Sequence, residues 1–422
     1  MEAPQRDRLL GACRRRRALT ARLLACFDRW GYSPVAPPAL ESYDQLARGL
    51  SDEDRGRCVR FVAPPDGRLV ALRADVTPQI ARMVAQQVGG AVPRDAVVRV
   101  SYAADVVRQP RGPAERAEVH QVGLELIGDG DPQADAELVD VCDEALRAVG
   151  LTEHRLDLSH PGIAAAMLDD LRIDDAGRAA VRQALAQKDR DGVLRLLGAH
   201  PGADALASLC DRFGPPTILE GAADALPAAA EPVERLAAIA AAAGPAAVTV
   251  DLGEVRGEGY YTGLRLRAWA AGVSRPIARG GRYDDLLARY GAAMPATGLA
   301  IDLDALETAL AHAAGPAAEG SSGGHLIAVL PGGELVRRRA EAAALARELR
   351  AEGKHAWVAA VASQDRAIAL AELDGADTVA LLGDERRALR KQDGRWRATA
   401  GATAGATAGA TAGATAGEEE RS

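Results

Sequence analysis

Two adjacent tyrosines and an arginine set among glycines constrain this chain more than any other stretch. Residues 256–263 read Arg256-Gly257-Glu258-Gly259-Tyr260-Tyr261-Thr262-Gly263, and a short strand pair separates them from Gly280-Gly281-Arg282-Tyr283-Asp284. The clustering is unusual in a chain whose aromatic content is only 3%. Glycine inside a strand weakens it and often marks the close approach of a ligand or another backbone. Tyrosine adds a flat apolar body with one polar tip. The pattern suits a floor on which a small, flat, polar molecule lies. It suits equally a twisted hairpin with tyrosines along its edge.

The rest of the chain narrows the choice. Its 422 residues are typical of two or three domains. No run of eighteen apolar residues occurs, so no transmembrane helix is expected. The basic run Arg14 to Arg17 lacks the apolar segment and cleavage site of a signal peptide and suits a solvated helix face. The five cysteines, Cys13, Cys26, Cys58, Cys142 and Cys210, show no CxxC spacing. Neither a metal site nor a disulfide framework is expected, no cofactor is implied, and a reducing cytoplasm is the default compartment. A net charge of −8 argues against a broad nucleic-acid surface, which needs a concentrated basic face.

Taken in order, residues 6–30 form one amphipathic helix, with Leu9, Leu10, Cys13, Leu19, Leu23, Leu24 and Phe27 at threes and fours and Gly31 as the stop. Tyr32 to Ala36 is a short extended piece ending in prolines that suit a sheet edge. Phe61-Val62 and Leu69 to Leu72 flank Pro64-Pro65-Asp66-Gly67, a hairpin with strong turn chemistry. If the second strand continues through Arg73-Ala74-Asp75-Val76-Thr77, then Arg73, Asp75 and Thr77 share a face. Thr77-Pro78 opens a helix with threonine as N-cap, so Thr77 is either a plain cap or a ligand contact.

Val97 to Val107 and Val119 to Ile127 read as antiparallel strands joined by a long polar loop. In the second, His120, Val122, Leu124 and Leu126 form the core face. Gln121 and Glu125 flank Gly123 on the other, a slot between two polar walls. A half-exposed sheet face has the same look, although Glu and Gln around a mid-strand glycine suit a merely solvated surface poorly. A helix covers 133–149, and residues 160–245 are Ala/Leu-rich with helical spacing and no strand signal, an all-helical insertion. Ala246 to Leu252 is a strand, and Pro295 to Leu306 is a strand running into a helix.

These elements place a core at residues 1–314, a Gly/Ser/Ala linker at 315–324 and a small domain at 325–397. In that domain His325 to Leu330, Trp357 to Val361 and Thr378 to Leu382 alternate with helices at 334–352 and about 364–373, implying a small parallel sheet. The tail, 398–422, repeats Ala-Thr-Ala-Gly and offers nothing large and apolar to bury, so disorder is expected.

Four of these stretches, in this order, resemble the catalytic core of the histidyl-tRNA synthetase family, class II aminoacyl-tRNA synthetases. They resemble more specifically its non-ligating branch, the regulatory subunits of ATP phosphoribosyltransferase. Residues 256–263 match Arg-Gly-x-x-Tyr-Tyr-Thr-Gly, and Gly-Gly-Arg-Tyr-Asp follows. Arg73 to Thr77 resembles the synthetase segment Arg-Pro-Glu-Gly-Thr, with the Asp that the regulatory branch favours. Val106-Val107-Arg108 through His120 to Gly128 resembles motif 2. The resemblance covers about 5–310, and more weakly 325–397 as a shortened anticodon-binding domain. It implies an α+β fold, an antiparallel sheet flanked by helices, and a homodimer formed through the first helix and strand. It also implies histidine contacts at Asp75, Thr77, Gln121, Glu125, Arg256 and Tyr260, with Tyr261 beside them. The chemistry agrees: carboxylates and a hydroxyl suit an ammonium, and a guanidinium and a phenol suit a carboxylate or an imidazole.

The nucleotide half departs from the synthetase pattern. Arg108 stands at the motif 2 arginine, but motif 3 reads Gly298-Leu299-Ala300-Ile301-Asp302-Leu303-Asp304-Ala305-Leu306. Ala305 takes the arginine position and Asp302 replaces a glycine. Loss of one preorganised donor costs about 2.7–4 kcal/mol. An aspartate about 4 Å from a phosphate adds repulsion on the order of 4 kcal/mol at an effective dielectric near 20. The loop after Arg108 also lacks the Arg-x-Glu that grips adenine, and Arg111 or Arg116 stays open as a substitute. The resemblance therefore implies a non-catalytic subunit with no adenylation of its own. Such a subunit assembles with a short-form ATP phosphoribosyltransferase, which condenses ATP with phosphoribosyl pyrophosphate at the first step of histidine biosynthesis, and conveys feedback by histidine. Whether histidine sits in this pocket or at a subunit interface stays open. The alternatives are a divergent histidyl-tRNA synthetase, a stand-alone histidine-activating enzyme, or a histidine-binding or scaffold protein with no such partner.

Overall fold

The computed structural model describes residues 10–64, 66–93, 95–112, 115–171, 173–244, 247–255, 260–314, 324–392 and 394–399. Arg256, the linker at 315–323 and the tail from 400 onward lie outside the described residues. The described residues fall into two compact units, 18–314 and 324–399, and residues 10–17 group with the second.

The helix α1 (Leu10–Arg29) buries Leu23, Cys26 and Phe27 completely, all three within the first unit. It ends at Gly31, whose φ of 82° suits a residue without a side chain. Next come β1 (Ser33–Pro34), β2 (Leu40–Ser42), α2 (Tyr43–Gly49), α3 (Asp52–Arg57), β3 (Arg60–Ala63), β4 (Arg68–Leu72) and α4 (Thr77–Gln87). The long pair β5 (Val98–Val107) and β6 (Glu118–Ile127) leads to α5 (Pro132–Ala148) and β7 (Arg155–Ser159). The described residues of 160–245 hold six α-helices: α6 (Gly162–Asp170), α7 (Asp175–Ala186), α8 (Arg190–Leu197), α9 (Ala203–Ser208), α10 (Ala222–Ala225) and α11 (Ala230–Ala242). They also hold one strand that the sequence does not announce, β8 (Phe213–Gly214), too short for any alternation to register. The unit closes with β9 (Val248–Asp251), β10 (Arg265–Trp269), β11 (Ala278–Arg282), β12 (Ala296–Asp302) and α12 (Leu303–Ala314).

Nine strands form one sheet in the order β1-β5-β6-β12-β11-β10-β7-β9-β8. Only β1 with β5 and β7 with β9 run parallel. The proline-ended strand β1 sits at the edge, where a missing N–H does least harm. One face buries Val122, Leu124 and Leu126 of β6 together with Leu138, Val139 and Cys142 of α5 and Leu303 and Leu306 of α12. Each such large side chain contributes roughly 1.5–3 kcal/mol by leaving water. The other face carries a smaller cluster from α4 and β5 with Tyr283 and Met294, and Tyr260 and Tyr261 pack against it. This second face holds the candidate site.

Two local expectations fail. β4 stops at Leu72, so Arg73 to Thr77 is a bend rather than a strand continuation. Thr77 is not an N-cap: Val76 occupies that position in helical geometry and no side chain caps α4. With Pro78 in the first turn supplying no N–H, the helix start has one less donor to satisfy.

The second unit contains β13 (Gly324–Val329), α13 (Leu335–Ala351), β14 (Ala356–Ala360), α14 (Gln364–Asp374) and β15 (Ala376–Leu382), with β14-β13-β15 parallel. It is not a purely parallel sheet. β16 (Arg386–Gln392) and β17 (Arg395–Ala398) add two antiparallel strands at one edge, so Ala398 belongs to a strand and not to the tail. Their arginines and lysine hide them in the sequence; charged side chains are what an edge strand tolerates.

Candidate functional site

Strand register sets out the polar face of the large sheet in rows. Glu125 on β6 lies opposite Gly298 on β12, then Gly281 on β11, then Arg265 on β10. The next row runs Tyr102, Gly123, Ala300, Arg279, Arg267. The glycines in these rows seat neighbouring side chains. A Cβ at 298 would overlap the Glu125 Oε2 and crowd the Tyr283 hydroxyl. A Cβ at 123 would sit 2.5 Å from the Tyr102 ring and 2.5 Å from the Leu299 carbonyl oxygen. The slot that the sequence suggests between Gln121 and Glu125 is therefore filled by Tyr102.

Glu125 is the centre of the site and only 1% exposed. Its Oε1 accepts the Thr77 hydroxyl proton at 2.6 Å, which is what Thr77 does instead of capping α4. Its Oε2 has no hydrogen-bond partner, and neither has the buried Oε1 of Gln121 or the Tyr283 hydroxyl. Burial pushes the Glu125 carboxyl well above the usual carboxylate range, the Thr77 hydrogen bond opposes this, and the charge of Asp75 adds to it. Asp75 is also raised, first by burial, while Arg108 pulls it down and Asp54 pushes it up. Its carboxylate accepts the Val76 N–H at 3.0 Å and lies 3.6 Å from the Arg108 guanidinium. A buried carboxyl with an unpartnered oxygen beside a second carboxyl is a group of acceptors whose chemistry suits an organic cation.

Tyr260 and Tyr261 meet edge to face, centroids 5.1 Å apart at 84°, and Tyr260 also leans on Tyr283 at 5.7 Å. The pair is thus a corner and not a continuous flat floor. Burial raises both phenols, Tyr261 to about 12. The glycine signature is partly structural. Arg282 is 1% exposed and its guanidinium donates to Asp135 at 2.8 and 3.0 Å, to the Asp129 carbonyl and to Asp284, tying β11 to α5. Gln121, Glu125, Asp75, Thr77, Tyr260 and Tyr261 come together around this face, with Arg108 beside Asp75, whereas Arg256 lies outside the described residues.

The arginines around the nucleotide end are engaged by the chain itself. Arg108 donates to the Ala74 carbonyl at 2.5 Å and pairs with Asp75 and Asp54. Arg111 pairs with Glu53, and Arg116 pairs with Asp304 at 2.8 Å, so neither stands free to replace a lost phosphate ligand. Ala305 is completely buried in the core beside Leu303 and Leu306. Asp302 corrects one expectation. It pairs with Arg275 at 3.0 Å and accepts the Ala305 N–H at 2.9 Å, so its charge is largely spent on the start of α12. The repulsion expected from it toward phosphates is correspondingly weaker.

Comparison with known proteins gives the family and the fold. The family model for histidyl-tRNA synthetase matches residues 5–306. The chain is 38% identical over 307 residues to the ATP phosphoribosyltransferase regulatory subunit of Anaeromyxobacter dehalogenans strain 2CP-C, covering 70% of this chain and 87% of that one. It is 37% identical over 303 residues to the protein of the same name from Ralstonia nicotianae, covering 70% and 78%. The chain belongs to this family of ATP phosphoribosyltransferase regulatory subunits. A crystal structure from Bacillus halodurans, described as an ATP phosphoribosyltransferase regulatory subunit/histidyl-tRNA synthetase, superimposes with a TM-score of 0.75 at 25% identity, over 91% of this chain and 99% of that one. The histidyl-tRNA synthetase of Nostoc sp. PCC 7120 shares the fold, with a TM-score of 0.75 at 17% identity, over 94% and 96%. The α+β architecture expected from the sequence is thus the fold of histidyl-tRNA synthetase-like proteins.

Around this candidate site, sequence reading passes over two residues, Tyr283 and Arg279. Tyr283 stands inside the Gly-Gly-Arg-Tyr-Asp match and presents a buried, unpartnered hydroxyl above Gly298. Arg279 shares a face with Gly281 by the alternation of β11, the one signal available before the register is known.

Proposed function

We propose that this chain is the non-catalytic regulatory subunit of a short-form ATP phosphoribosyltransferase, and that it carries histidine feedback to the first step of histidine biosynthesis. The observation that carries this reading is the contrast between the two halves of one pocket. The amino-acid half keeps Glu125, Asp75, Thr77 and Gln121 around open acceptor atoms. At the nucleotide end Arg108, Arg111 and Arg116 are tied to carboxylates and position 305 is an alanine in the core. In this reading histidine is held by Asp75, Thr77, Gln121, Glu125, Arg256, Tyr260 and Tyr261. The transferase chemistry belongs to the partner chain, and the core pairs with itself as a homodimer in the cytoplasm. No helix among the described residues is long and apolar enough to cross a membrane. In the proposed organisation, residues 1–314 are the synthetase-like core with its helical insertion at about 160–245, 315–323 the linker, 324–398 the shortened anticodon-binding-like domain, and 399–422 a low-complexity tail.

Feedback in such a complex requires that histidine bind the active and inactive assemblies with different affinity. The test is the initial rate of a short-form ATP phosphoribosyltransferase with and without this chain, titrated with histidine, together with co-purification of the two. Association, activation and histidine inhibition support the reading. A transferase that ignores the chain and is fully active alone rejects it.

A further inference from the structure

Among the described residues, the arginines around the candidate site are mostly answered by carboxylates, and Arg279 is not. Arg265 and Arg267 share the 3% exposed carboxylate of Glu254 at 3.0 and 2.8 Å. Arg108 lies between Asp75 and Asp54, Arg275 pairs with Asp302, and Arg116 with Asp304. Arg279 sits in the middle of this group, one strand from Ala300 and one from Arg267, and makes no hydrogen bond or ion pair among the described residues. Its side chain is exposed on the open face and interacts electrostatically with Tyr261, Arg108, Asp302 and Arg275. It is therefore a cation among Arg108, Arg275, the Tyr261 phenol and the Asp302 carboxylate, with its side-chain hydrogen-bond donors uncommitted.

Its place relative to Glu125 fits a small zwitterion. The two residues lie on the same face, two strands and two residues apart, which places their Cα atoms about 12 Å from each other by ordinary sheet spacings. Both side chains are long enough to reach toward a small ligand lying between them. The buried and unpartnered Oε2 of Glu125 offers an acceptor at one end of such a ligand. Arg279 offers a planar array of donors at the other, the geometry that suits a carboxylate.

We infer that Arg279 is the anion anchor of this pocket, taking the α-carboxylate of the amino acid whose ammonium rests on Glu125 and Asp75. The inference builds on the histidine reading above and adds a residue to the contacts that the resemblance implies, among which Arg256 is the arginine. Calorimetry on the full chain with histidine and with histidinol, which lacks the carboxylate, tests it in the wild type, Arg279→Met and Arg279→Lys. The wild type is expected to prefer histidine about 10–100-fold, the span of one charge-assisted contact. Arg279→Met should erase that preference while leaving histidinol affinity unchanged, and Arg279→Lys should restore part of it. Because Arg279 is exposed, the thermal melt of both variants should match the wild type. A preference retained in Arg279→Met overturns the assignment and moves the carboxylate to another group. Failure of the wild type to bind histidine at all overturns both this inference and the histidine reading, so the two failures are distinguishable.

Discussion

Replacing Glu125 by Gln separates what this carboxyl does for the ligand from what it costs the fold. The substitution keeps the shape and keeps an acceptor for the Thr77 hydroxyl, 2.6 Å away in the wild type. It removes a titratable group whose carboxyl is held well above the usual carboxylate range by burial, against the Thr77 hydrogen bond and with the charge of Asp75 adding to the rise. The sign follows from linkage. Below about pH 4.3 both folded and unfolded chains hold the proton and the group is neutral to stability. As pH rises from there toward the elevated folded value, the unfolded chain gives up the proton while the folded one keeps it, and stability falls by about 1.4 kcal/mol per pH unit. Glu125→Gln escapes that loss, so it should melt at or above the wild-type temperature at pH 7 and match the wild type near pH 4. Histidine binding should move the other way. An ammonium resting on Glu125 needs the carboxylate, so binding to the wild type should release a proton, and the variant should lose about 1.5–3 kcal/mol of affinity, roughly 10–150-fold. Calorimetry at pH 7 in two buffers of different ionisation heat reads both quantities. Equal affinity in the two proteins, or no proton release from the wild type, refutes the reasoning and removes the ligand's ammonium from Glu125.

Gly123→Ala places a Cβ 2.5 Å from the Leu299 carbonyl oxygen and the Tyr102 ring; an overpacking cost of roughly 1–3 kcal/mol should lower the melting temperature by several degrees, and an unchanged melt would mean that the seat is roomier than described. Arg282→Met leaves the buried Asp135 carboxylate with a weakened set of partners and should cost about 3–5 kcal/mol in denaturant unfolding; adding Asp135→Leu should recover part of it in a double-mutant cycle. Ala305→Arg, which restores the synthetase residue by sequence, puts a charge where the core is closed; it should destabilise the fold and yield no ATP–pyrophosphate exchange, and a stable, exchange-active variant would contradict the placement of that side chain.

The elements that position the site are legible because their periodicities are strong: the helix at α1, the strand pair β5–β6, and the return of strand pattern at β9. The register-dependent chemistry is not. Thr77 reads as a cap because threonine before proline so often is one, and only the bend at 73–76 turns its hydroxyl toward Glu125. The glycines announce crowding, but which side chain fills each seat depends on strands far apart in sequence, as with Gly298 under Glu125. Asp302 looks like a bare negative charge until Arg275 folds back against it across 27 residues. The charged strands β16 and β17 lack the apolar alternation that makes a strand visible.

The central claim is that a receptor for an amino acid persists where the means of activating it has gone. ATP–pyrophosphate exchange with histidine, run on a preparation shown by calorimetry to bind histidine, tests it most directly. The account predicts bound histidine with no exchange above the no-enzyme rate. Histidine-dependent exchange that titrates with the protein would contradict it.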